Sequence, residues 1–228
     1  ASVNNKAKFS VITYTGNGSD GATIEHGLGS IPVFVIVKKR TGDNWMVYHQ
    51  ANNNFSSPEN YYLELNENGG DINADTLFNN TAPTSSVFSL DDDSSVNSNS
   101  GSFVAYCWGE VPGYSKFGTY RGNSSSSNGS YIHLGFRPAL IIIKKFSGSD
   151  SWQMHYSAIQ TYNNKSATLF PSSDNAEQTT GRLIDFLSNG FKFYNADGNS
   201  NEDGHAYLYM AFAETAGQTA YGTFPNAR

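Results

Sequence analysis

The chain has one cysteine, three methionines, three tryptophans and seven prolines in 228 residues, and only 15% of its residues are charged. A single cysteine excludes an intramolecular disulfide, so stability has to come from packing rather than from covalent staples. That residue, Cys107, sits in a run apolar on both faces (103–108), where a thiol reads as an inert small hydrophobe. Nowhere do about eighteen apolar residues run together, which argues against a membrane-inserted helix, and ASVNNKAKFS at the start shows no apolar core of an export signal. The expectation is a soluble chain. Its net charge of -6 argues against nucleic acid as the main partner, because phosphate backbones are held by clustered Lys and Arg that release counterions. The five histidines His26, His49, His133, His155 and His205 never fall at H-x-H or H-x-x-x-H spacing and have no cysteine partners, so a transition-metal centre is not expected. They are placed at the surface or at a sandwich edge. No segment keeps a helical period, and no G-x-S-x-G nucleophile turn is present.

What the chain does have is 22 glycines, 14% aromatic residues and abundant Asn and Ser, a balance that suits many short strands joined by turn-rich loops. It also repeats itself. Residues 9–48 lie over 117–156: Tyr14-Thr15-Gly16-Asn17 answers Tyr120-Arg121-Gly122-Asn123, and 32–39 answers 138–145 as PVFVIVKK against PALIIIKK. The ends agree as well, 102–110 against 206–214. A period of about 105 residues is far longer than a solenoid repeat, so the halves are expected to be duplicated domains, 1–112 and 113–228.

The first copy contains Gly16-Asn17-Gly18-Ser19-Asp20-Gly21, the G-x-G-x-x-G spacing of dinucleotide-binding loops. A phosphate site needs a helix after the glycines, and ATIEHGLG, which follows, does not hold one. In the second copy the stretch becomes Gly122-Asn123-Ser124-Ser125-Ser126-Ser127-Asn128-Gly129, which loses the glycine spacing. Both read as turn-rich connections.

The unbroken apolar runs 33–37 and 139–143 read as central strands covered on both faces. Weaker strands are expected over 9–14, 23–26, 45–49, 61–65, 87–90 and 103–108, with counterparts in the second copy, and a hairpin over 185–193 turns at Asn189-Gly190. The fold class is all-β: two tandem homologous antiparallel β-sandwich units, jelly-roll-like. Residues 217–224 resemble the start of a third copy and are expected to form a strand that closes the second unit.

The ordered set YTGNGSDG, HGLGSIPVFVIVKKR, NWMVYH, FNNTAPTSSVFSL, FVAYCWGEVPGYSKFGTYRGN, LGFRPALIIIKK, DFLSNGFKFY and AYLYMAFAE resembles a domain at the C-terminal ends of tail-fibre and related virion proteins of tailed bacteriophages, especially those of marine bacteria and cyanobacteria. The resemblance covers nearly the whole chain. It implies a non-enzymatic structural protein of the extracellular virion that contacts the host surface, a distal module on a homotrimeric fibre beside other virion subunits. It brings no catalytic residues, and ASVNNKAKFS looks like the start of an excised C-terminal module.

Glycan recognition is the chemistry the residues favour. A sugar ring stacks its C–H face on an aromatic while Asp, Asn and backbone groups bind its hydroxyls. Asp43, Asn44 and Trp45 with Tyr48 and His49, and Asp150 and Trp152 with His155 and Tyr156, offer those groups in both copies; the competing reading buries both tryptophans in the core. The acidic loops 91–95 and 195–204 occupy equal places, and Asp197, Asn199, Asn201 and Asp203 alternate oxygen ligands as a calcium loop would, without the EF-hand order. No other cofactor is expected. Glu110 and Glu214 end equivalent strands, where solvation is the simpler role than acid–base catalysis. The host ligand is expected to be a surface glycan or a protein; the alternative function is an architectural virion decoration that binds no ligand, and a depolymerase stands third.

Overall fold

A computed structural model of the chain describes residues 1–213. Strand accounts for 41% of it and helix for 5%, so the fold is an all-β one built from antiparallel sheets. The chain forms two compact units, the first spanning Ala1–Glu110 and the second beginning at Val111. The expectations for Glu214 and for a closing strand over 217–224 lie outside the described residues.

The first unit contains β1 (Ser2–Asn4), β2 (Phe9–Thr15), β3 (Ala22–Glu25), β4 (Phe34–Lys39), β5 (Trp45–His49), β6 (Tyr61–Glu64), β7 (Ile72–Asn73), β8 (Val87–Leu90) and β9 (Ser102–Trp108). Its large sheet has the order β1-β2-β9-β4-β5-β6-β7, and β3 pairs with β8 in a small second sheet. Alternation puts Val35 and Val37 of β4, Met46 and Tyr48 of β5, and Phe103, Ala105 and Cys107 of β9 on one face, where they pack with Phe88 and Leu90 of β8. Each buried side chain of this size stabilises the sandwich by about 1.5–3 kcal/mol. In β4 four consecutive residues are buried, as an apolar run with no polar alternation requires.

In the second unit, β10 (Ser115–Arg121), β12 (Pro138–Lys145), β13 (Gln153–Tyr156) and β16 (Ala206–Ala213) form a sheet of order β10-β16-β12-β13. It carries the same sequence of equivalent strands as β2-β9-β4-β5. The small sheet, β11-β15-β14, is built from β11 (Tyr131–His133), β14 (Ile184–Leu187) and β15 (Gly190–Phe193). Ile141, Ile143, Tyr207 and Tyr209 meet Ile132, Phe186, Phe191 and Phe193 in the core. The β14–β15 hairpin turns one residue earlier than expected: Leu187 pairs with Gly190, which leaves Ser188 and Asn189 as the loop. Gly190 is needed for another reason, since a Cβ there would collide with the carbonyl oxygen of Ile132 on β11.

Candidate functional site

The glycine-rich loops after β2 and β10 are each half of a clasp. In the first unit the Asn97 carboxamide, 1% exposed, donates to Asn17 Oδ1 (3.1 Å), the Ser19 carbonyl (3.0 Å) and the Asp91 carbonyl (2.9 Å), and accepts from Asn17 N (3.0 Å). In the second, Asn201 repeats this with Asn123 Oδ1 (3.1 Å), the Asn195 carbonyl (2.6 Å) and Asn123 N (3.2 Å). Tyr14 and Tyr120 each add a hydroxyl bond of 2.7 Å, to the Val96 and Ser200 carbonyls. A Cβ on Gly16 would run into the Ser98 carbonyl oxygen and one on Gly122 into that of Glu202. What the second copy keeps is therefore the Gly-Asn pair, demanded by close backbone approach and a buried carboxamide, and these glycines cradle protein rather than phosphate.

The acidic loops are the other half. Asp93 caps a four-residue helix, Ser94–Asn97, by accepting from Ser95 N (2.7 Å). Asp197 does the same for its own turn, accepting from Asn199 N (3.0 Å) and Asn199 Nδ2 (3.0 Å). Asp197 also takes Gln153 Nε2 (3.0 Å) and ion-pairs with Arg182 (3.1 Å). Asn201 is spent in the clasp, and Asp203 is exposed. The alternating oxygens at 197–203 thus serve the chain, and a guanidinium already occupies the carboxylate that calcium would need. Among the described residues no group of three or more His, Cys, Asp or Glu is placed to hold a metal.

The expected glycan residues separate. In the second unit Trp152 and His155 are each 1% exposed, so neither can stack on or bind an outside ligand. His155 lies among Gln153 Oε1 and Thr168 Oγ1, both at 3.4 Å, and burial pushes its pKa down to about 4. Asp150 is held at 2.8 Å by Lys145, which also meets Glu202 at 2.5 Å. Burial works against the Lys145 charge, but the two carboxylates more than offset it and raise its pKa. Tyr156 is exposed at the sheet edge without these neighbours. In the first unit Tyr48 and His49 are buried as well, Tyr48 edge-on to Phe78 and His49 edge-on to Phe34. These four, Tyr48, His49, Trp152 and His155, are corrected to interior positions: Tyr48 points into the core of the first unit, while His49 on the opposite face of β5, Trp152 just before β13 and His155 within it are each buried.

Trp45 stays partly exposed. Lys38 Nζ sits 5.9 Å from its ring centroid, positioned by bonds to the carbonyls of Lys39 (2.6 Å), Asp43 (3.2 Å) and Gly42. Asp43 is exposed and pairs with Lys39 at 2.9 Å. The Asn44 carboxamide is tied to Glu64 (2.9 Å) and Asn66 (2.8 Å). On the same sheet face Tyr106 follows at 6.4 Å and 21° from Trp45, and Trp108 at 6.3 Å and 25° from Tyr106. The three rings make a partly exposed aromatic row with charged and carboxamide groups at one end. Tyr106 and Trp108 are candidate residues that a reading of 103–108 as apolar on both faces passes over; the period-two split of Val104, Tyr106 and Trp108 from Phe103, Ala105 and Cys107 carried the signal. The second unit has Met210 and Phe212 at the equivalent places, so the row is not duplicated.

The histidines are corrected too. His26, His49 and His155 are buried, and only His133 and His205 reach the surface. His26 Nδ1 accepts from Leu28 N (3.2 Å) while Nε2 faces the Thr84 carbonyl (3.1 Å), which fixes a neutral ring carrying its proton on Nε2. Cys107 is fully buried, and burial pushes its pKa up to about 12. No described helix is long and apolar enough to cross a membrane.

A family model described as a domain of unknown function, DUF7483, matches residues 1–216. No curated protein and no solved structure matches the chain.

Proposed function

Starting from a chain that belongs to the DUF7483 family, we propose that it is a virion protein of a tailed bacteriophage, a distal fibre module that binds a host-surface glycan through its first unit and catalyses no reaction. The observation that carries the glycan reading is the row Trp45–Tyr106–Trp108, three partly exposed rings 6.4 and 6.3 Å apart on one sheet face. Indole and phenol rings offer apolar area at little entropic cost, and neighbouring sugar rings of a chain stack along such a row while Asp43, Lys38 and Lys39 at its end meet hydroxyl or acidic groups. The resemblance of its motifs to those of phage fibre domains supports the virion setting, and with it the homotrimeric fibre.

The test is binding of the purified chain to host cells, competed by purified surface polysaccharide. Trp45→Ala and Tyr106→Ala are expected to cut binding by about tenfold or more, truncation of an aromatic anchor at a binding site costing about 2 kcal/mol, with the melting temperature lowered by only a few degrees. Full binding by the double variant rejects the row as the site. A chain that fails to bind any host cell leaves the architectural decoration as the function, and new reducing ends in the polysaccharide would show a depolymerase.

A further inference from the structure

Two exposed aromatic rings take no part in the row: Phe55 is 54% exposed and Tyr162 is 82% exposed. Phe55 is the sixth residue past the end of β5, and Tyr162 the sixth past the end of β13, the equivalent strand. Strand pairing confirms the match, since His49 ends β5 opposite Phe34 of β4 and Tyr156 ends β13 opposite Leu140 of β12. Isolated apolar side chains are ordinary on a protein surface. An exposed ring at the same place in both units is harder to dismiss, because the two loop sequences, QANNNFSS and SAIQTYNN, share little else.

Both loops are pinned around the ring. In the second unit Gln160 closes the neck of the loop: its Oε1 accepts from Ser166 N (2.7 Å) and Ala167 N (3.1 Å), and its Nε2 donates to the Asn164 carbonyl (3.4 Å). Asn163 exchanges bonds with the Phe186 backbone on β14, Nδ2 to the carbonyl at 3.1 Å and Oδ1 from the amide at 3.0 Å. In the first unit Asn52 Nδ2 donates to the Tyr61 carbonyl (3.0 Å), Asn53 N to Asp71 Oδ2 (3.2 Å) and Asn53 Nδ2 to the Ser56 carbonyl (2.9 Å). Asn53, Asn54 and Phe55 follow one another at φ 48°, 53° and 65°, left-handed backbone that a bulky aromatic adopts only where its surroundings hold it. Among the described residues neither ring pairs with another, and the Tyr162 hydroxyl has no hydrogen-bond partner.

No Asp, Glu, Lys or Arg falls within 50–57 or 157–164, where Asn, Gln, Ser and Thr surround the ring. One ring offers the area of one sugar face, far short of the roughly 800 Å² that each partner of a stable protein interface buries. We propose that each loop tip is a stacking subsite for one uncharged sugar residue, on Phe55 in the first unit and on Tyr162 in the second. The sugar lays its C–H face on the ring, and the exposed Asn54 carboxamide or the exposed Thr161 and Tyr162 hydroxyls meet its hydroxyl groups. The choice of a sugar rests on the glycan reading of the aromatic row. The subsites use other residues, and Tyr162 gives the second unit, which lacks the row, a contact of its own. A pinned loop loses little freedom on binding, so a single ring can serve, as a weak site.

The experiment uses the full chain with isotope-labelled Phe and Tyr, titrated by NMR to high millimolar concentration with the methyl glycosides of glucose, galactose, mannose and N-acetylglucosamine. Saturable shifts of the Phe55 and Tyr162 ring signals are expected with at least one of them. Phe55→Ala and Tyr162→Ala should each remove their own site, leave the other, and hardly change the melting temperature. Tyr162→Trp, with a larger ring, should tighten binding several-fold, a gain that misfolding cannot produce. In the Trp45→Ala/Tyr106→Ala variant both ring shifts should persist. The proposal is overturned by loop rings that no glycoside moves, or by shifts that vanish in the row variant. It is overturned equally by ring signals that move with protein concentration in the absence of sugar, which would make the tips a contact between copies. Shifts confined to Tyr106 would strike the loop tips and leave the row standing, whereas loop-tip shifts with a silent row would do the reverse.

Discussion

Trp45 and Trp152 hold equivalent places in the two copies and have different fates. Trp152 is inside the second unit, so Trp152→Ala should cost about 3–5 kcal/mol, read as a shift in the urea midpoint. Trp45→Ala removes a partly exposed ring and should cost only about 1 kcal/mol. Equal losses would mean that both indoles are core, which removes the basis for a binding row. Cys107 makes a second prediction at this scale. A thiol fully buried and with its pKa pushed up to about 12 should not react with an aromatic disulfide reagent at pH 8 until denaturant is added; prompt reaction of the native chain would show that the interior opens locally. Neither fate was legible in sequence, because Asp43-Asn44-Trp45 and Asp150-Ser151-Trp152 look alike, and exposure is decided by what the rest of the chain lays across each ring.

At the level of loops and strands, the clasp predicts a graded response to glycine replacement. Gly16→Ala and Gly122→Ala meet backbone oxygen and should destabilise by more than about 2 kcal/mol, whereas Gly29, at φ 62° with nothing within 4 Å, should cost only about 1 kcal/mol for its left-handed backbone. Asn97→Ala and Asn201→Ala should each cost about 2–3 kcal/mol, since several buried backbone groups lose their partner at once. Thermal melts that rank Gly29→Ala as the most harmful would contradict the clasp. Much at this scale was readable. The strands at 45–49 and 87–90 have the observed boundaries, because runs of aromatic and branched residues end abruptly there at polar turns. The edge strands β1 and β7 escaped, being two or three residues long with little apolar content; their pairing is set by the neighbour and not by their own pattern. The clasp spans some 80 residues of sequence, beyond any local signal, although the Gly-Asn pair retained in both copies while the other glycines changed was its trace.

For the whole molecule the buried imidazoles set the response to acid. The unfolded imidazole titrates at about 6.5, and folding holds His155 down to about 4. Between those values the unfolded chain binds a proton that the folded chain refuses, so unfolding takes up protons and stability falls as pH is lowered. The loss begins near pH 6.5, is complete below about 4, and amounts to about 3 kcal/mol for His155 alone. His26, also lowered by burial, acts in the same direction, while Asp71 and Asp185, raised by burial, act oppositely in the carboxylate range. Urea midpoints should therefore drop from pH 7 to pH 5, and His155→Gln should flatten that slope even if it lowers stability throughout; an unchanged slope would mean that His155 is protonated in the native chain. The strand orders β2-β9-β4 and β10-β16-β12 carry one more consequence, for synthesis. β9, the last strand of the first unit, slots between β2 and β4, and β16, the last described strand of the second, between β10 and β12, so a growing chain cannot complete either sheet piecemeal from its N-terminus. Until Trp108 has cleared the ribosome, β2 and β4 have no common neighbour and their edges stay open to chaperones or to other nascent chains. Folding of each unit should then arrive as one late, abrupt gain of protease resistance rather than as a gradual one.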